Sequence, residues 1–225
     1  WHPLISVSAS GGATVYEKRS RSAGAVQSLR SAHRRFHRRT LDRGCLALAS
    51  GTQLPPQEIF DLWSYFKHVE IAFSIDDVGQ QFEYQRHPAN WRQVSANLVK
   101  FKELKTPNMD FQVCSTVSIF NVFNWAKIAL WVAQFQPKFF YVNTCFDPDV
   151  FNVQTLPRQV KDIVVDRYHM LKDYQPSIRF MNAADRDSPE IRERRKQRIL
   201  QTDRYRNENF GDVFPLLNKV LKIYE

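Results

Sequence analysis

Parallel α/β architecture is the fold class this sequence predicts, and three observations predict it. From about Gly51 the chain alternates strand-like and helix-like segments in the order βαβαβα, the pattern of parallel strands joined by crossover helices. Two of the strands carry apolar residues on one side and polar residues on the other. The first of them also ends in a hydroxyl and a carboxylate, Ser74 and Asp76, on its polar side. Ligand sites in α/β proteins lie at that end of the strands.

The elements follow in order. After the breaker Pro55-Pro56, the apolar residues Ile59, Leu62, Trp63 and Phe66 recur at helical spacing and predict a short helix. Residues 69–75 read as a strand with Val69, Ile71, Phe73 and Ile75 on its packing side. Glu70, Ala72, Ser74 and Asp76 lie on the other side. The run from Gly79 through Pro88 leads to a helix starting near Trp91, with Val94, Leu98 and Phe101 as its stripe. A second strand follows, Phe111, Val113, Ser115 and Val117 alternating with Gln112, Cys114, Thr116 and Ser118. Trp125, Ile128, Ala129, Val132 and Phe135 line the next helix, and residues 138–144 form a third strand. A loop containing Asp147-Pro148 leads to a helix from about Leu156 to Leu171, striped by Val160, Ile163, Val164 and Leu171. Ser188-Pro189 reads as an N-cap and first-turn proline before the charged segment 190–207, whose alternating charge predicts an exposed face. A final helix carries Val213, Phe214, Leu217, Val220 and Leu221.

If helices cover the apolar sides, the polar sides line a common interior. A half-polar interior suits an open barrel holding a polar cofactor.

The net charge of +9 is unevenly distributed. Residues 1–50 hold 9 Lys/Arg against 2 Asp/Glu, and residues 51–225 hold 23 against 21, so the basicity belongs to the first fifth. A nucleic-acid reading from the whole-chain charge therefore fails. The first 49 residues are rich in Ser and Arg, include the cluster Arg34 to Arg39, and show no sustained apolar period. They are expected to be disordered or loosely helical. No apolar run reaches the roughly 20 residues of a membrane helix. Three widely spaced cysteines, Cys45, Cys114 and Cys145, make no disulfide framework and no CxxC, which favours a reducing cytoplasm.

Several polar residues fall at strand ends. Ser74 and Asp76 close the first strand, with capping of the following turn as the structural alternative. Ser118 and Asn121 follow the second strand, where N-capping of the next helix is equally open. Asn143 and Asp147 follow the third, and Asp147-Pro148 also reads as turn chemistry. Arg86 lies where it could bind an anionic substrate or a carboxylate, or simply be a solvated loop residue. Cys114 and Cys145 read as small buried residues.

An ordered series of passages resembles a known group. It comprises Phe66-Lys67-His68-Val69-Glu70-Ile71, Ser74-Ile75-Asp76-Asp77, Phe82-Glu83-Tyr84-Gln85-Arg86, and Trp91 with Asn97. It continues in Thr116-Val117-Ser118-Ile119-Phe120-Asn121, Asp147-Pro148 and Leu156-Pro157-Arg158-Gln159-Val160-Lys161. The last members are Thr202-Asp203-Arg204-Tyr205-Arg206-Asn207 and Asp212-Val213-Phe214-Pro215-Leu216. Across roughly residues 50–225 the chain resembles radical S-adenosylmethionine (radical SAM) proteins of the twitch-domain-containing type.

The resemblance implies a partial (β/α)₆ barrel, here about the last three βα units over residues 50–180, with a C-terminal helical extension over 181–225. It implies S-adenosylmethionine and a [4Fe–4S] cluster as cofactors of the intact parent, which abstracts hydrogen from a peptide or small molecule. By the same resemblance Ser74 and Asp76 sit beside the cofactor ribose or amino-acid end. Ser118 and Asn121 sit near its adenosine, Arg86 near a carboxylate, and Asn143 and Asp147 on the substrate or adenine side.

The family's CxxxCxxC loop and its Gly-Gly-Glu-Pro motif are both absent, Gly11-Gly12-Ala13-Thr14 being a poor substitute. No catalytic or metal-ligating residue is therefore assigned, and the chain alone is expected to be inactive. Ala49-Ser50-Gly51-Thr52 resembles the turn closing the family's third strand. Residues 1–48 are expected to be foreign to the family, through truncation or a shifted frame. Two other classes compete with the enzyme reading: a non-catalytic binding fragment, and nucleic-acid binding through the basic arm. Half a barrel also leaves a strand edge open, so a protein partner or self-association covering that edge is expected.

Overall fold

A computed structural model describes residues 51–224, together with the backbone of three strands: β1 (Ser6–Ala9), β2 (Ala13–Val15) and β3 (Leu41–Ala49). The basic cluster Arg34 to Arg39 lies outside the described residues, as does the Cys45 side chain. The remaining strands are β4 (Phe66–Ser74), β5 (Met109–Val117) and β6 (Phe139–Thr144). They form one sheet in the order β2-β1-β3-β4-β5-β6. β3, β4 and β5 are parallel, and β1 is antiparallel to both β2 and β3. The α/β class and the parallel strands thus stand, in a chain whose C-terminal part is mainly helical. Among the described residues no helix is long and apolar enough to cross a membrane.

The chain divides into two compact units. The first comprises Trp1–Ile75, Ala89–Cys114 and Val132–Tyr141, and the second comprises Asp76–Pro88, Ser115–Trp131 and Val142–Glu225.

In the first unit, α1 (Gln57–Trp63) precedes β4 and buries Phe60 and Trp63, where the apolar spacing pointed to Ile59 and Leu62. Phe66, expected on that helix, is the first residue of β4. The strand takes over because a β-rich run, Val69 to Phe73, pairs on both sides at once, with β3 and with β5. The helix Trp91–Leu104 is capped by Asn90, whose side chain accepts the Gln93 N–H, and it buries Val94, Leu98 and Phe101 as its stripe predicts. Phe101 centres an aromatic cluster, its ring 5.2 Å from Phe73 and 6.0 Å from both Phe60 and Phe111. These rings lie on the apolar sides of β4 and β5, while Glu70 and Gln112 on the opposite sides stay half-exposed.

Gly51, at φ +76°, turns the chain after β3, and a Cβ there would stand 3.0 Å from Val94 Cγ1. Asn97 donates to the Gly51 carbonyl at 2.9 Å. Asn108 fixes the start of β5 by donating to the carbonyls of Trp63 and Phe66.

In the second unit a short helix, Gln80–Gln85, follows β4, where periodicity alone predicts only a connector. It starts from Gly79 at φ +66°, a conformation that costs other residues more. These two helices are α2 (Gln80–Gln85) and α3 (Trp91–Leu104). The others are α4 (Trp125–Ala133), α5 (Arg158–Tyr168), α6 (Gln175–Asn182), α7 (Pro189–Arg206), α8 (Phe210–Val213) and α9 (Pro215–Leu221).

α5 buries Val160, Lys161, Val164 and Tyr168, whereas the expected Ile163 and Leu171 are exposed. The Lys161 ammonium reaches the Asp185 carboxylate at 3.3 Å, which lets a charged residue occupy a buried position. Ser188 caps α7 as expected, accepting the Ile191 N–H. The expected last helix is split in two, because Pro215 lacks an N–H and pushes Phe214 out of helical geometry.

Phe101→Ala is expected to cost about 3–5 kcal/mol through the cavity it leaves. Amide hydrogen exchange along β4 would report it; unchanged protection there would contradict the packing described.

Candidate functional site

The carboxyl ends of β4 and β5 are held by one buried carboxamide. Asn121 is fully buried, and its Oδ1 accepts the Ser118 N–H at 2.9 Å. Its Nδ2 donates to the carbonyls of Asp76 at 2.7 Å and Thr116 at 2.8 Å. Both N–H donors and the carbonyl oxygen of that side chain are thus engaged by backbone. Asn121 precedes α4 by a full turn, so it joins the two strand ends and does not cap the helix.

Asp76 is 8% exposed and its carboxylate is saturated. Oδ1 accepts the Thr116 N–H at 2.8 Å, and Oδ2 receives both Nε and Nη2 of Arg86 at 2.6 Å. Convergence of two guanidinium nitrogens on one oxygen fixes the plane of the arginine head. The Arg86 side chain stays 24% exposed, and among the described residues its Nη1 has no hydrogen-bond partner. A cation oriented by a buried acid, with its Nη1 donors left over, can receive an anionic group such as a carboxylate.

The neighbouring Asp77 is fully buried and serves structure. Its oxygens accept the Val78 N–H at 2.9 Å, Asn124 Nδ2 at 3.0 and 3.3 Å, and Gln85 Nε2 at 3.1 Å. Burial pushes its carboxyl up to about 6, while these hydrogen bonds and Lys127 act in the other direction. Asp77 therefore anchors both the residue before Arg86 and the start of α4.

α2, which carries Arg86 at its C-terminal end, is gripped by the C-terminal helices. Gln81 donates to the Val213 carbonyl, Arg206 donates to the Tyr84 carbonyl, and His87 pairs with Glu208 at 3.0 Å. Tyr84 Oη donates to Asp203 Oδ1 at 2.7 Å, and Asp203 Oδ2 also accepts Tyr224 Oη at 2.6 Å and the Phe210 N–H at 2.8 Å. Burial and the Asp203 carboxylate raise both tyrosines, Tyr224 to about 12, so both remain hydroxyl donors at neutral pH. The Tyr84, Phe120, Phe210 and Phe214 rings pack about this bond.

The expected site residues fall into two groups. Asp76, Arg86, Ser118 and Asn121 belong to one connected network, with Ser118 Oγ accepting the Phe120 N–H at 3.3 Å. Ser74, Asn143 and Asp147 take no part in it among the described residues. Ser74 is half-buried as the last residue of β4, Asn143 is exposed on β6, and Asp147 is exposed in the loop that follows. Cys145 Sγ lies 3.6 Å from the Asp147 carbonyl, and burial together with the Asp147 and Asp76 charges raises its thiol. It is a poor nucleophile and a poor metal ligand there.

The reading from sequence missed Thr116, whose main chain, not its side chain, does the work. It also missed Asp77, Gln85 and Asn124, whose amide–carboxylate pairing had no signal in spacing. Among the described residues no group of three or more His, Cys, Asp or Glu could hold a metal ion. Comparison of the chain with protein-family models, curated proteins and solved structures returned no match.

Asp77 makes stability depend on pH with a definite sign. Its folded-state value, about 6, lies above the ordinary 3.8, so the folded state binds the proton more tightly. That contribution is complete below 3.8 and disappears as pH rises through 6. On lowering pH from 7 to 4, wild type should gain on Asp77→Asn by up to about 3 kcal/mol. Paired denaturant titrations across that range measure the difference, and a pH-independent gap would refute the assignment.

Proposed function

We infer that the chain is the ligand-holding C-terminal portion of a radical SAM protein of the twitch-domain-containing type. The observation that carries the reading is the Asp76–Arg86 pair at the carboxyl end of parallel strands, locked by Asn121 and Thr116. The zwitterionic end of S-adenosylmethionine presents a carboxylate, which the spare Arg86 donor suits. Its ribose presents hydroxyls, which the Ser118 hydroxyl suits. When bound with a reducing cluster, this cofactor supplies a deoxyadenosyl radical; the residues of this chain would bind and orient it.

The cluster is a different matter. A [4Fe–4S] centre needs three or four thiolates close together. The described side chains offer only Cys114 and Cys145, in no metal-binding group. These residues do not fit a cluster, and no reaction step is assigned to them. In this form the chain is a binding module, with hydrogen abstraction belonging to a protein that also carries the cluster loop.

Calorimetric titration with S-adenosylmethionine tests the reading. Wild type should bind it, and Arg86→Ala should bind at least about tenfold more weakly, the worth of a charge-assisted hydrogen bond. Iron after anaerobic reconstitution should remain substoichiometric. Absence of binding by wild type at millimolar ligand, or equal binding by Arg86→Ala, would overturn the assignment.

A further inference from the structure

The Asp77 carboxylate is fully buried, and each of its hydrogen-bond partners is an N–H donor. Val78 donates from its own turn, Gln85 from α2, and Asn124 from the residue before α4. Lys127, on α4, acts on it through charge alone, and the adjacent Asp76 is committed to Arg86 and the Thr116 N–H. A ring of donors matches an ionised carboxylate. A carboxylic acid brings an O–H of its own, and that proton needs an acceptor the ring lacks. Burial nevertheless presses the group toward its protonated form, to about 6. Protonation therefore requires a neighbour that can exchange a donor for an acceptor.

Two neighbours carry a carboxamide that could turn over, Gln85 and Asn124. Gln85 is held, because its Nε2 also donates to Gln81 O at 3.1 Å, and turning would set Oε1 against that carbonyl. Asn124 Nδ2 spans both Asp77 oxygens, at 3.0 and 3.3 Å, and among the described residues its carboxamide makes no other hydrogen bond. Its main chain is fixed separately, its carbonyl accepting the Ile128 N–H at 3.0 Å. The carboxamide can thus rotate without disturbing α4.

We propose that Asp77 and Asn124 form a proton switch beside the Arg86 anion site. Uptake of one proton from water by Asp77 turns the Asn124 carboxamide so that its Oδ1 accepts that proton, while Gln85 and Arg86 keep their places. The charge beside the site then changes by one unit with no movement of the guanidinium. Ionised Asp77 stands next in sequence to the acid that orients Arg86, and it opposes an incoming anion. Neutral Asp77 does not. Proton and anion therefore favour each other's binding, to the same degree in either order. This coupling rests on the anion-receiving role of Arg86; the switch itself does not.

Carboxyl and side-chain amide NMR of the full chain, between about pH 4.5 and 8, reads the switch without any ligand. One aspartate should titrate near 6, and its signal should be lost in Asp77→Asn. The Asn124 amide pair, assigned through Asn124→Ser, should shift with that midpoint, and the Gln85 amide and Arg86 Nε–H should not. Histidines titrate in this range, and His87, paired with Glu208 at 3.0 Å, adjoins Arg86, so the same shift should persist in His87→Gln. Binding of S-adenosylmethionine, whose carboxylate stays ionised throughout, should tighten on acidification about threefold more in wild type than in Asp77→Asn. An Asp77 midpoint below about 5, an Asn124 pair that does not follow it, or a Gln85 amide or Arg86 Nε–H that moves instead would overturn the switch. Equal pH dependence of binding in both proteins would overturn the coupling. Absence of binding would refute the anion role of Arg86 and the coupling with it, while the resonances still decide the switch.

Discussion

The carboxamide of Asn121 is the constraint on which the candidate site depends. One buried side chain ties the main chain of Asp76 to that of Thr116 and closes the turn at Ser118. With the two strand ends at fixed separation, the Thr116 N–H meets Asp76 Oδ1, and Oδ2 remains for Arg86. The order of dependence is thus amide, backbone, carboxylate, guanidinium. Only the last member keeps a donor for anything outside the network. An unmet donor or acceptor in such a buried arrangement costs more than the bond itself contributes, so the parts hold their places jointly.

Arg86 also needs its backbone held, and that support comes from far along the chain. α2 has only six residues, too few to be stable without help. The segment from Asp203 to Phe214 supplies that help through the Asp203–Tyr84 bond, the Glu208–His87 pair and a stack of aromatic rings. α7 is anchored in turn by Arg195, which is 1% exposed and donates to Val150 and Thr155 carbonyls and to the Thr155 hydroxyl. Burial pulls that guanidinium down to about 10, so it stays charged at neutral pH and its contacts are charge-assisted. The C-terminal helices hold no expected site residue and still decide where one points.

The two sides of the sheet show how one strand pattern serves two purposes. In β5 every second residue from Met109 to Val117 is buried, and the residues between stay half-exposed. The buried side fills with aromatic rings. The other side keeps Glu70, Asp110 and Gln112 in contact with water, and Lys138 meets Asp110 there at 2.9 Å.

The sequence by itself determined the parallel strands, their sidedness, the α3 stripe and the Ser188 cap. Those features follow from local periodicity and capping chemistry, which a short window contains. It also determined that Asp76, Arg86, Ser118 and Asn121 would gather near the strand ends, because each lies just beyond a strand or its following helix. Their roles were settled only by tertiary structure. Nothing in spacing distinguishes Asn121 spending its amide on backbone from Asn121 facing a ligand. The same holds for Asp77, whose partners Gln85 and Asn124 lie 8 and 47 residues away. Arg195 falls in the segment expected to be an exposed charged face, the burial of Lys161 had no signal, and Phe60 was overlooked beside Ile59. In each case burial depended on which distant backbone or side chain arrived to meet the group. Periodicity reports which face of an element turns inward; only the packed fold decides what waits there to satisfy it.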